Sequence, residues 1–100
     1  MVIHDDIDLP LGTIRIGQNL SSAGHKGIQS IIDHLGTKNF IRFRIGIRPL
    51  ANKPIETVKF VLKNFTKEEE KIINQIIELS KQAVLMTIEQ GIEKSMNHYN

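Results

Sequence analysis

Three short stretches carry the residue types that chemistry needs. His4-Asp5-Asp6-Ile7-Asp8 places an imidazole and three carboxylates within five residues. A carboxylate where a strand gives way to a loop can orient and polarise a histidine base, as in hydrolytic triads. Asx-turns, in which each aspartate satisfies a local N–H, account for the same residues. Ser21-Ser22-Ala23-Gly24-His25-Lys26-Gly27 is a Gly/Ser-rich run entering a helix, where unpaired N–H groups can hold an anion. It lacks the Gly-Lys-Ser/Thr ending of a phosphate-binding P-loop and the Gly-x-Gly-x-x-Gly order of a dinucleotide site, so helix capping by Ser21 or Ser22 explains it as well. Arg42 and Arg44 alternate on one strand face, from which two guanidiniums could reach a single anion. A solvated sheet face has the same pattern.

These groups need elements to position them. Met1 to His4 reads as the end of a strand, and Asp5 to Gly12 as a turn-rich segment built on the aspartates, Pro10 and Gly12. Thr13 to Ile16 alternates as a short strand. Ile28, Ile31, Ile32 and Leu35 fall at helical spacing, with Gly36 as the stop. Phe40 to Ile47 is the clearest strand: Ile41, Phe43, Ile45 and Ile47 share one face, and Arg42, Arg44 and Gly46 the other. Pro54 fits the first turn of a helix carrying Val58, Val61 and Leu62. Thr66-Lys67-Glu68-Glu69 is a capping box opening a helix of more than 20 residues, to about Gly91 or beyond, striped with Ile72, Ile73, Ile76, Ile77, Val84, Leu85, Ile88 and Ile92. The predicted class is α/β: a partial mixed β-sheet flanked by helices, ending in a long C-terminal helix. Three short strands make a poor sheet, and a first strand with nothing before it points to an incomplete domain.

Composition narrows the classes. One hundred residues make one small domain at most, and 40% hydrophobic with 24% charged residues is globular rather than disordered. With no cysteine, a disulfide scaffold, a thiolate metal site and a cysteine nucleophile are all excluded. His4, His25, His34 and His98 show no ligand spacing, so no metal is expected. No apolar run approaches the ~18 residues of a membrane span, and Met1 to Asp6 lacks a signal-peptide pattern; a soluble, cytoplasmic chain is expected. The net charge of +2 hides an asymmetry: residues 13–48 carry six basic groups against the single acid Asp33. That stretch, beside the acidic 5–8 segment, suits a polyanionic partner.

Taken together, the segments resemble the bacterial-type peptidyl-tRNA hydrolases. The likeness rests on His4-Asp5-Asp6-Ile7-Asp8-Leu9-Pro10-Leu11-Gly12, then Ser22-Ala23-Gly24-His25-Lys26-Gly27, His34-Leu35-Gly36-Thr37 and Arg42-Phe43-Arg44-Ile45-Gly46-Ile47. Phe60-Val61-Leu62 leading into Asn64-Phe65-Thr66-Lys67-Glu68-Glu69 extends it. The resemblance spans the whole chain but only the C-terminal half of the family, so it implies that residues 1–100 are the C-terminal portion of a single domain. It implies hydrolysis of the ester joining a peptide to the terminal ribose of tRNA, with no cofactor. Asp5 would orient a catalytic histidine that lies in the family's N-terminal half. None of this chain's four histidines matches that base, and the isolated chain is expected to be inactive. Gly24, His25 and Lys26 would line the peptide site, with Lys26 standing where the family has Asn.

For tRNA, Arg44 matches one basic residue of the family's clamp for the 5′ phosphate. The second falls at Gly17, with Arg15 two residues away and Arg42 on the same strand as Arg44. The family's Gly-Ile-Gly-Arg-Pro is one residue shorter here, at Gly46-Ile47-Arg48-Pro49. The long C-terminal helix would be its mobile cover over the acceptor arm. Expected partners are tRNA and a separate N-terminal half. The alternative function is a non-catalytic tRNA- or RNA-binding or assembly module on the same scaffold.

Overall fold

The structure is a computed structural model that describes residues 1–49 and 65–100. The helix expected from Pro54 lies outside the described residues. In order the elements are β1 (Val2–Pro10), β2 (Ile14–Gln18), α1 (Lys26–Leu35), β3 (Ile41–Arg48), α2 (Lys67–Gln90) and α3 (Ile92–Tyr99). The strands form one mixed sheet in the order β1-β3-β2. β1 runs parallel to β3, with His4 opposite Arg44 and Asp6 opposite Gly46. β2 runs antiparallel to β3, with Arg15 opposite Arg44 and Ile16 opposite Phe43. The α/β class, the mixed sheet and the long helix are therefore as expected.

The acidic segment is not the turn its composition suggested. β1 continues through all three aspartates, because its backbone finds ladder partners on β3, and the chain reverses only at Leu11 and Gly12. The strand bulges between Asp6 and Pro10, which aims its last residues away from a regular pleat. Gly46 makes that bulge fit. A Cβ on Gly46 would overlap the Pro10 carbonyl and stand 2.8 Å from Leu9 O. The bulged strand thus crosses β3 at the one position without a side chain.

Period-two alternation divides the sheet into an apolar and a polar face, as the sequence predicts. Phe43 is fully buried in a cluster with Ile14, Ile16, Ile76 and Ala83. Ile41 and Ile45 pack around it from the same strand. α2 begins at the predicted capping box: Thr66 Oγ1 accepts from Glu69 N, and Glu69 Oε1 accepts from Thr66 N. It buries a narrower stripe than the expected one. Ile76, Ser80, Ala83 and Thr87 face inward, while Ile77, Leu85 and Ile88 stay exposed. Small residues let the helix approach closely, and Ser80 and Thr87 donate to the carbonyls four residues back, so neither hydroxyl is buried unpaired.

Gly91, at φ 92°, separates α2 from α3. The buried hydroxyls of Thr87 and Ser95 meet at 2.8 Å across that joint. At the end of α3, Asn100 closes the outer edge of β2: Oδ1 accepts from Ile16 N at 2.7 Å and Nδ2 donates to Ile16 O at 2.9 Å. Its amide does there what a neighbouring strand would do. None of the described helices is long and apolar enough to cross a membrane.

Candidate active site

A cleft of about 640 Å³ opens on the polar face of the sheet, between β1 and the loop entering α1. His4, Asp5 and Asp6 line it from the strand, Gly24, His25 and Lys26 from the loop and helix start, and Arg42 and Arg44 from β3. Two of the chemistry-bearing stretches thus converge on a third. The route runs through the loop, where positive φ angles at Ala23 (49°) and Gly24 (85°) turn the chain into α1. His25 N donates to Ser22 O and locks that turn.

The helix start was expected to be capped by Ser21 or Ser22. His25 caps it instead, its Nδ1 accepting from Ile28 N at 3.1 Å. The turn at Ala23-Gly24 carries the serines past the helix axis and brings the imidazole under the first N–H groups. Because Nδ1 accepts, the remaining nitrogen carries the proton, and Nε2 donates to Asp5 Oδ1 at 3.1 Å. His25 is therefore assigned as the Nε2–H tautomer with both nitrogens engaged.

His4 is committed in the opposite sense. Nδ1 donates to the Asp5 carbonyl at 2.7 Å, and Nε2 accepts from Arg42 Nε at 3.1 Å. Burial, and the Arg42 charge beside it, hold its pKa below the ordinary histidine value against the pull of the carbonyl. The two rings meet edge to face with centroids 4.9 Å apart. Neither imidazole at the cleft has a lone pair free for a water. His34 is bonded to Ser30 O on α1, and His98 stacks on Tyr99 at the end of α3.

Arg42 does not share an anion with Arg44, as the alternation alone allowed. It is only 3% exposed, and its Nη1 donates to the carbonyls of Leu20 (3.1 Å) and Ser21 (2.6 Å). The physical reason is accounting: the loop bends over β3 and leaves carbonyls with no main-chain partner, which a buried guanidinium satisfies. Arg44 is available in a different way. Its Nε donates to Asp6 Oδ2 at 2.8 Å, which fixes the side chain and leaves both terminal nitrogens without a partner among the described residues. Burial alone would raise the Asp6 pKa, but Arg44 and the Asp8 N–H outweigh it and hold the carboxyl below its usual range.

Arg15 stands directly opposite Arg44 in the β2–β3 register and is exposed. Gly17 stands opposite Arg42, and Leu20 fills the space a side chain would take there, 2.6 Å from a hypothetical Cβ. Lys26 is the first residue of α1, exposed at the cleft, in a first turn with no acidic residue. Its ammonium reinforces the positive end of the helix dipole rather than answering it. Asp5, half-exposed in the same cleft, has one oxygen bonded to His25 and no partner for the other among the described residues.

Two links, His4–Arg42 and Asp6–Arg44, were missed in the sequence. Continuing β1 as a strand beside β3 would have paired them, since alternate residues of adjacent strands share a face. The turn-like composition of Asp5 to Gly12 hid that signal.

Comparison with known proteins places this geometry. The family model described as peptidyl-tRNA hydrolase matches residues 1–100. The peptidyl-tRNA hydrolase of Thermodesulfovibrio yellowstonii is 48% identical across all of this chain, which covers 52% of that protein. That of Fervidobacterium nodosum is also 48% identical, with 54% of its length covered. The crystal structure of peptidyl-tRNA hydrolase from Acinetobacter baumannii superposes on 98% of this chain with a TM-score of 0.83 at 26% identity, and 49% of that chain is covered. The chain thus spans about half the length of the relatives it matches. A mixed sheet, an aspartate at the mouth of its polar cleft and a match along every residue together show that the chain belongs to the peptidyl-tRNA hydrolase family.

Proposed function

We propose that these 100 residues are the C-terminal portion of a single peptidyl-tRNA hydrolase domain, carrying the carboxylate and the tRNA-facing cations of the site but not its base. The observation that carries this reading is the commitment of both cleft imidazoles, His4 and His25, at both nitrogens, beside a carboxylate with one oxygen to spare. A histidine supplied from the family's N-terminal half would donate one N–H to Asp5 and take a proton from water with its other nitrogen. The resulting hydroxide adds to the ester carbonyl, and collapse of the tetrahedral intermediate expels the ribose oxygen, which recovers the proton. Asp5 stabilises the transient imidazolium without itself taking the proton. Gly24 and Lys26, on either side of His25, form the wall on the peptide side, and Lys26 adds a donor that cannot accept. Arg44, with Arg15 opposite it, meets phosphate on the tRNA side.

The test is complementation. Alone, the chain should release no tRNA from peptidyl-tRNA above background. Mixed with or fused to the N-terminal half of the Thermodesulfovibrio yellowstonii relative, it should turn over. Turnover by the chain alone, lost in Asp5→Asn, contradicts the missing base. The second reading, a non-catalytic RNA-binding module, is favoured by the spent imidazoles themselves; it requires steeply salt-dependent tRNA binding and no turnover even when complemented.

A further inference from the structure

We infer that His25 is a positioning residue for Asp5, delivering the pull of the α1 N-terminus to the carboxylate, rather than a contact to the peptide. The inference rests on the hydrolase reading above. The connection runs from Ile28 N to His25 Nδ1 and from His25 Nε2 to Asp5 Oδ1, 3.1 Å at each step. Ile28 is 1% exposed, so the donor at the far end is anchored in the core. An N–H directed into Nδ1 polarises the ring and strengthens the Nε2–H that Asp5 receives, since bonds in a chain reinforce one another. The helix end, positive by its dipole, thereby acts on a carboxylate it does not touch. Oδ1 is held, and Oδ2, without a partner among the described residues, is left for a base.

The ring has been given room for this. A Cβ on Gly27 would come within 3.1 Å of His25 Cε1, so the position beside the imidazole is kept bare inside a helix where alanine would otherwise be the better residue. Nothing in the capping role alone asks for that, because asparagine caps as well and needs less space. With both nitrogens engaged, His25 has no polar atom left for a peptide.

Three variants of the complemented chain separate the possibilities. His25→Asn keeps a good cap but is too short to reach Asp5; kcat should fall by about tenfold to a hundredfold with KM within twofold. His25→Gln, long enough to donate to Asp5, should recover part of the loss. Gly27→Ala should lower kcat because it displaces the ring, with thermal stability close to the wild type's, since alanine's better helix propensity offsets the weakened cap. A raised KM with kcat unchanged in His25→Asn would overturn the inference in favour of peptide contact, and full activity would overturn it outright. A second readout needs no turnover: the 100-residue chain should show a slowly exchanging His25 Nε2–H proton by NMR that disappears in Asp5→Ala. If the complemented wild type is inactive, the hydrolase reading fails, and that proton alone decides whether His25 holds Asp5; its absence overturns the inference.

Discussion

Arg44 and Asp6, opposite in charge and adjacent across parallel strands, are joined by a single 2.8 Å hydrogen bond from Nε to Oδ2. The bond uses Nε and leaves the two terminal nitrogens of the guanidinium, unpartnered among the described residues, for a second anion. Asp6 therefore both aims Arg44 and competes with whatever Arg44 binds. Replacing Asp6 by Asn should raise affinity for a tRNA acceptor stem by a few-fold, since the competing charge goes and a hydrogen-bond acceptor stays. Arg44→Gln should weaken binding about tenfold and lower the slope of log K against log salt by about one. Filter binding across a salt series checks both; an Asp6→Asn variant that binds more weakly would show aiming to outweigh competition.

Arg42 belongs to the architecture of the cleft. Its truncation to Ala strands two loop carbonyls and the His4 ring nitrogen in a buried setting, at a cost of about 2–4 kcal/mol. Arg42→Ala should thus lower the unfolding midpoint markedly. Arg15→Ala, on an exposed strand position, should leave stability within about 0.5 kcal/mol of the wild type. Denaturant melts of the two variants make the comparison.

Gly46→Ala should be among the most damaging single methyl additions in the chain. The new Cβ meets backbone, the carbonyls of Pro10 and Leu9, which cannot rotate away as a side chain would. Straightening the bulge to relieve it moves the strand that carries Asp5, so stability should fall by roughly 1–3 kcal/mol or more. Thermal unfolding reads the first effect. Activity of the complemented enzyme should fall further than stability alone explains.

Acidification should destabilise the fold in two stages. His4 has a folded pKa below its unfolded value of about 6.5, so the unfolded chain binds the proton more readily. The neutral ring's contribution is complete above that value and is lost as pH falls through it toward the folded pKa. Asp6, also depressed, contributes above the unfolded carboxylate value of about 4 and is lost as pH falls through its lower folded pKa. The unfolding midpoint should decline between pH 7 and 5 and again below about 4. His4→Gln should flatten the first decline; an unchanged slope there would move its origin elsewhere.

What the sequence disclosed depended on how local the cause was. The capping box at Thr66, the stop at Gly36 and the alternation of β3 depend on neighbours a few residues away, and each stands in the structure as expected. The path of β1 and the fate of Arg42 did not disclose themselves. Aspartates and a proline look like a turn until a parallel partner arrives from about 40 residues on, and an arginine looks solvated until a loop folds over it. The stripe of α2 was misjudged for a related reason: Ser80, Ala83 and Thr87 carry little hydrophobic signal, yet Ala83 and Thr87 are where α2 meets Ser95 of α3. At the cleft, the bond between Asp5 and His25 was not legible, because the two are 20 residues apart and meet only through the turn at Ala23-Gly24.

If Asp5 orients a base that these 100 residues do not themselves supply, neutralising it should act on the chemical step alone. Single-turnover release of tRNA from peptidyl-tRNA would be measured for the chain joined to a relative's N-terminal half, as wild type and as Asp5→Asn. Asp5→Asn should lose about a thousandfold or more in the chemical step, with tRNA binding unchanged, as when an orienting carboxylate is neutralised beside its histidine. A variant that retains its rate within threefold would contradict it and leave Asp5 a bystander at the cleft.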